Sequence, residues 1–354
     1  MDVIPFLRSL IRFPSVSREE AEIASFVEEE AERHGLNVGR HADNVYFSIG
    51  EGERLLLLNS HLDVVPPSEG HQFPPFDAAE KDGRLYGRGS VDAKASGAAM
   101  STALFQLKQE GWLPKNGRVM VALTACEELG GAYNGLEDLL PHLPPIESAL
   151  VGEPTNMQPC VAQKGLLILT CRARGRSAHA ARAALGDNAI ERAARDVQRI
   201  AGMTLEREDP FLGPATVAVT TIHGGEARNV IPDECTFTLD IRSTPAYTHD
   251  ELIKHFRKTL EARVDVHSER IVPVATDPDE PIVRACLEAN PDSVPFGSPT
   301  TSDWIFLKDI PTVKIGPGDS RLSHTAQESI PVKEVRSAVE IYKRIIKSYF
   351  EQNG

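Results

Sequence analysis

Two histidines and a set of carboxylates carry the chemistry most open to reading in this chain. His61 and Asp63 stand two residues apart in Ser60-His61-Leu62-Asp63. On an extended backbone that spacing sends both side chains to one face. His61 can offer one ring nitrogen to a metal while an acid holds the other, and Asp63 is placed for that. Asp92 closes the glycine-rich turn Gly87-Arg88-Gly89-Ser90-Val91-Asp92, and Glu127 and Glu128 are adjacent. Glu153 stands in Val151-Gly152-Glu153-Pro154, and His324 in Ser323-His324-Thr325 after Gly316-Pro317-Gly318. Two imidazoles and several carboxylates suit zinc or a similar borderline metal. If one carboxylate bridges, such a set can hold two metals about 3.5–4 Å apart, the spacing of co-catalytic hydrolases. Each residue also has an ordinary alternative. His61 can be a satisfied polar residue, Glu127-Glu128 a solvated pair or a match to a helix dipole, Asp92 a helix cap, and Glu153 a loop acid.

Their placement at strand ends favours the metal reading. Residues 55–60 have a continuous apolar core, Leu55 to Leu58, as a strand buried on both faces would. Residues 45–49, 119–124 and 149–151 read as further strands. The periodicity of Ile4, Leu7, Leu10 and Ile11 gives a first helix, which Pro14 stops. Ser17 and Glu20 have the spacing of a capping box for a second helix. Residues 95–110 are helical, with Gly111 as the stop. Alternating strands and helices predict an α/β domain with a mixed, mostly parallel sheet. In such sheets ligands bind at the carboxyl ends of the strands, where His61, Glu127, Glu128 and Glu153 fall.

The pattern changes near Gly165. Residues 166–174, 215–222, 235–241 and 264–271 read as strands, and 187–200 and 248–260 as helices. The order β-α-β-β-α-β is that of a ferredoxin-like α+β sandwich. The α/β pattern resumes with a helix at 281–288, a strand at 312–315 and a last helix at 332–350. The expected plan is a catalytic domain of residues 1–165 and 273–354, interrupted by an inserted domain of residues 166–272.

Composition narrows the function. The 354 residues carry a net charge of −13, which argues against nonspecific binding to nucleic acid or anionic membranes. Five cysteines without a CxxC pair argue for a reducing compartment. The start of the sequence has no basic segment followed by an apolar one, and no apolar run is long enough to span a bilayer. A cytoplasmic location is the default expectation.

Six strings together resemble the M20 metallopeptidases, in the branch of acetylornithine deacetylase and succinyl-diaminopimelate desuccinylase. They are SHLDVVP (60–66), GRGSVDAKA (87–95), EELGG (127–131), VGEPT (151–155), GEARNVIP (225–232) and SHTAQE (323–328). The resemblance implies two Zn2+ ions, with Co2+ or Mn2+ an option at one site. His61 and Glu153 would hold one metal, Glu128 and His324 the other, and Asp92 would bridge. Asp63 would orient His61, and Glu127 would be the general base. The inserted domain would be a lid and dimerisation domain, making a homodimer. From it His179 would reach the site to support the oxyanion, and Asn229 and Arg242 would contact substrate, Arg242 through a paired bond to a carboxylate. A surface His and a solvated strand Arg are the ordinary alternatives for His179 and Arg242.

Some positions depart from the pattern. Cys126 stands where many relatives have Asp, and reads as a packing residue. Thr301-Ser302-Asp303 resembles a desuccinylase segment, but Trp304-Ile305-Phe306 follows where Gly-Arg-Phe is found there. That loss of an Arg favours a small uncharged acyl group. The reading is therefore hydrolysis of an N-acyl amino acid, with N-acetylornithine first and N-acetylcitrulline or N-acetyllysine close to it, in arginine or lysine biosynthesis. The alternatives are succinyl-diaminopimelate desuccinylase, a dipeptidase or carboxypeptidase of the same fold, and a non-catalytic metal-binding paralogue. The last would be marked by a lost base or ligand, and none is lost.

Overall fold

The computed structural model describes residues 1–129 and 133–352. Gly130 and Gly131 of the 127–131 string lie outside the described residues. The chain divides into two units. The first holds residues 1–161, 276–296 and 302–354, and the second residues 162–275 and 297–301.

The first unit is built on a mixed sheet. Its strands run in the order Asn37–His41, Asn44–Gly50, Gly117–Thr124, Arg54–His61, Ile146–Val151, Thr312–Lys314. Arg54–His61 pairs in parallel with both Gly117–Thr124 and Ile146–Val151, and Thr312–Lys314 continues the parallel set. The first two strands are antiparallel additions at the edge. Arg54–His61 is central, and all its residues after Arg54 are buried. The helix Lys94–Gln109 packs against this strand and against the helices Val3–Arg12 and Val332–Gln352. Its small residues Ala95, Gly97, Ala98 and Ala99 allow close approach on all sides, and all are buried. Parallel strands share one direction, so their carboxyl ends open on one side of the sheet. That side carries the candidate site.

The expected capping box does not form. The helix Ala21–Arg33 has Glu20 at its N-cap with no side-chain cap bond. Ser17 instead donates to Asp63, and Glu20 accepts from the Cys126 backbone N–H at 3.0 Å. A partner distant in sequence takes each side chain away from the local motif. A true capping box occurs at Thr248 and Glu251, opening the helix His249–Thr259.

The second unit is a four-stranded antiparallel sheet in the order Thr216–Gly224, Glu234–Ser243, Gly165–Arg174, Arg263–Ile271. In chain order that is 2-3-1-4, the ferredoxin-like arrangement. Leu167, Leu169, Cys171, Phe237, Leu239 and Ile241 alternate inward along the two central strands. They meet Ala193 and Ile200 of the helix Ala189–Ala201, and Leu252 and Phe256 of His249–Thr259. Among the described residues no helix is long and apolar enough to cross a membrane. All five cysteines are buried, and none is in a disulfide among the described residues.

Candidate metal centre

His61 is the last residue of the central strand Arg54–His61 and is buried. Its Nδ1 lies 2.9 Å from the Asp63 carbonyl oxygen. A carbonyl only accepts, so Nδ1 carries the hydrogen and Nε2 is turned toward the acids. Nε2 lies 3.3 Å from Asp92 Oδ1 and 3.8 Å from Glu153 Oε1. Glu153 follows the strand Ile146–Val151, and Gly152 between them donates to the Asn59 carbonyl at 2.7 Å. No side chain fits beside it at Gly316, where a Cβ would stand 2.5 Å from the Glu153 carbonyl oxygen.

Asp92 points its other oxygen at the second imidazole. Its Oδ2 lies 3.3 Å from His324 Nε2, and that nitrogen lies 2.9 Å from Glu128 Oε1. One carboxylate thus faces two imidazoles, one with each oxygen. The nearest donor atoms of His61, Asp92 and Glu128 all lie within 4.8 Å of one another.

Asp63 does more than touch His61. Its carboxylate is 3.4 Å from His61 Nδ1. It accepts the backbone N–H of Glu127 at 3.0 Å and of Glu128 at 3.1 Å, and the Ser17 hydroxyl at 2.7 Å. Asp63 therefore fixes the peptide that carries both glutamates.

Carboxylates outnumber imidazoles in the group, and the charge excess sets its proton affinities. Burial, then the Asp92 charge, raises Glu153 to about 8. Burial also lifts Glu127 well above the usual carboxylate range, with Glu153, Asp303 and Glu128 adding to the rise. Bonds to Asp92 and Glu128 push His324 up to about 10. Burial would pull His61 down, but Asp63 and Asp92 raise it well above its ordinary value. Burial works against Asp92 too, yet its bonds to His324 and His61 hold it far below the carboxylate range. A cluster in which carboxylates outnumber imidazoles cannot stay fully ionised without further positive charge. The donor set and this charge imbalance fit divalent metal.

The remaining expected residues lie in the second unit and are exposed. His179 pairs with Val230 across a short ladder, and its Nδ1 accepts from the Ala181 N–H at 3.1 Å. Asn229 offers its carbonyl to the Ala180 N–H at 2.9 Å. Arg242 donates to both oxygens of Asp240, at 2.8 and 3.3 Å.

Several supporting residues carry no local signal of that role. Ser17 has instead the spacing of a helix cap. Arg88 and Glu328 sit inside the quoted strings but join only across the fold. Asp303 is buried, accepts from Asn134 Nδ2 at 2.7 Å, and is raised by burial to about 6. Cys126 is buried, and burial with Glu20 beside it raises its thiol to about 12, the state of a packing residue.

A family model for Peptidase family M20/M25/M40 matches residues 57–348. A succinyl-diaminopimelate desuccinylase of Rhodospirillum centenum is 31% identical, over 99% of this chain and 97% of that protein. An acetylornithine deacetylase of Myxococcus xanthus is 33% identical, over 85% of this chain and 81% of that protein. Among solved structures, a dinuclear metal-binding M20 peptidase of Bacillus subtilis shares the fold with a TM-score of 0.75 at 16% identity, covering 98% of this chain and 97% of that one.

Proposed function

This chain belongs to peptidase family M20/M25/M40, and from that premise we propose that it hydrolyses the amide bond of an N-acyl amino acid. One observation carries the reading: Asp92 turns one oxygen to His61 and the other to His324. Asp92 would bridge two divalent cations, zinc being the first expectation, with His61 and Glu153 on one and Glu128 and His324 on the other. The dinuclear centre of the Bacillus subtilis relative supports that count. When bound, such cations polarise a carbonyl and lower the pKa of water.

The residues of this chain supply the rest. Glu127 takes the proton of the attacking water as its oxygen joins the acyl carbon. It then passes that proton to the nitrogen as the C–N bond breaks. Asp63 keeps the Glu127 and Glu128 peptide in place by accepting both N–H groups. His179 would support the oxyanion, and Asn229 and Arg242 would bind the amino-acid part. The second unit would make the homodimer, since its edge strand Thr216–Gly224 is paired on one side among the described residues and exposes Ile222.

The relatives favour N-succinyl-diaminopimelate, the alternative in the sequence, over N-acetylornithine. Two observations keep the acetyl reading second: the Myxococcus deacetylase, and the buried Trp304 with Ile305 after Asp303, where an Arg would meet a second carboxylate. The test is release of primary amine from N-succinyl-diaminopimelate, N-acetylornithine, N-acetylcitrulline and N-acetyllysine side by side, with Glu127→Gln as the blank. The succinyl compound should lead. An acetyl compound ahead of it would reverse the order. Release from none, with two metals bound, would end the acyl-amino-acid reading and point to dipeptides.

A further inference from the structure

Arg88 and Glu328 form an ion pair closed off from solvent, their side chains 1% and 0% exposed. Burying two charges this fully is costly, and apolar side chains would fill the space as well. What the pair touches is therefore informative. Glu328 Oε2 accepts from Arg88 Nη1. Its Oε1 accepts the backbone N–H of Val91 at 3.0 Å and of Asp92 at 3.2 Å. The other arm of the guanidinium, Nη2, donates to the backbone carbonyl of His324 at 3.3 Å. The Gly87 N–H donates to the Glu328 carbonyl at 3.3 Å. The pair ties the peptide that carries Asp92 to the peptide that carries His324.

His324 needs an outside hold. Its φ is +63°, in the left-handed region that side chains other than glycine rarely adopt. It lies in a loop, and Arg88 donates to its backbone carbonyl. His61 ends a sheet strand and Glu153 follows one, so that side is fixed by ladder bonds instead.

We propose that Arg88 and Glu328 act as a positioning clamp for the second cation, the one between Asp92, Glu128 and His324, and so set its affinity. The inference rests on reading those three residues as metal ligands. Arg88 is suited to it because a planar guanidinium spans two acceptors at fixed angles.

Arg88→Lys keeps the charge against Glu328 but loses the fork. Zinc is titrated calorimetrically into chelator-stripped wild type and variant. Wild type should show two binding events, the weaker being the one that His324→Ala removes. In Arg88→Lys that event should weaken by roughly 10–100-fold, as when an outer hydrogen bond to a ligand is lost, while the tighter event holds. Arg84→Lys is the control. Arg84 binds Ser329 through its hydroxyl at 3.1 Å and its carbonyl at 2.7 Å, on the same segment but away from the ligands. It should leave both events unchanged. If Arg88→Lys does not fold, Glu328→Gln replaces it: the amide oxygen still accepts from Val91 and Asp92, while its NH2 faces Arg88 Nη1, donor against donor, and breaks that contact. It should weaken the same event.

A single event in wild type would overturn the proposal. So would unchanged affinities in Arg88→Lys, an equal fall at both sites, or loss of folding in both variants, which would make the pair a fold determinant alone. Two zinc events in wild type without hydrolysis of any acyl amino acid would instead remove the functional reading and leave the clamp standing.

Discussion

His61 and His324 face the same carboxylate from opposite settings. The His61 side chain is 1% exposed, ends a strand in the middle of a parallel sheet, and has its far nitrogen on a carbonyl. The His324 side chain is 49% exposed and sits in a loop with a left-handed backbone. One end of the site is made by the fold, while the other is held by side chains that reach across it. The difference teaches where the affinity for metal and the stability of the chain are linked. At the His61 end, losing the imidazole strips a buried set of acids of its positive partner. At the His324 end, water can enter and take its place.

Alanine at each position gives the largest separation. His61→Ala leaves the Asp63 carbonyl without its donor and Asp92 and Glu153 facing each other with less compensation. Unfolding in chelator should show a loss of about 2–4 kcal/mol, the range for breaking a buried charged contact. His324→Ala should cost under about 1 kcal/mol, as for a half-exposed pair. Turnover should collapse in both, so stability and not activity tells the ends apart. Equal losses of stability would break the comparison.

The same contrast explains what the sequence could show. His61, Glu153 and the Glu127-Glu128 pair follow apolar runs, and a buried strand leaves a run that can be read directly. The second unit was equally open, since Gly165–Arg174 alternates buried and half-buried residues along nearly its whole length. The supports of the His324 end were hidden because their partners are far away. Arg88 and His324 are 236 positions apart, and nothing near either residue announces the other. Ser17 shows the converse, for its spacing to Glu20 met a local rule that distant partners overrode. Strands of three residues such as Ala79–Lys81, Arg84–Tyr86 and Ser329–Pro331 are too short to show a period.

The pH dependence of the chelated protein should sharpen the comparison, because Glu153 at one end and His324 at the other are raised to different values. Glu153 rises from an ordinary 4.5 to about 8 in the folded chain, and His324 from 6.5 to about 10. Both folded values lie above the unfolded ones, so the folded state binds more protons and stability falls as pH rises. The fall begins near 4.5, continues through 8 for Glu153, and extends through 10 for His324. His324→Ala should remove the His324 share of the upper part, leaving the share of His61, which is also raised, and the lower part due to Glu153. Saturating zinc should reverse the slope between those limits, since ligands bind metal only when deprotonated. Denaturant melts at a series of pH values, with and without chelator, measure it. A chelated protein that gains stability from pH 5 to 8 would contradict the charge excess at the Glu153 end.

The smallest effect on turnover concerns Ser17, which reaches both ends through Asp63. Its hydroxyl donates to Asp63 Oδ2 at 2.7 Å, and Asp63 is fully buried. Burial would raise Asp63, but His61, Ser17 and the Glu128 N–H hold it below the ordinary range. Removing one of several donors to a carboxylate that stays ionised should cost about 1 kcal/mol. The Glu127 and Glu128 N–H groups remain bonded in Ser17→Ala, so zinc binding should not change and turnover should fall only slightly. A double-mutant cycle with Asp63→Asn locates the effect, because a hydroxyl that acts through Asp63 becomes nearly neutral once that charge is gone. A helix cap would keep its full cost in the Asp63→Asn background, together with a loss of helix signal. That outcome would restore the local reading of Ser17 and detach it from the metal centre.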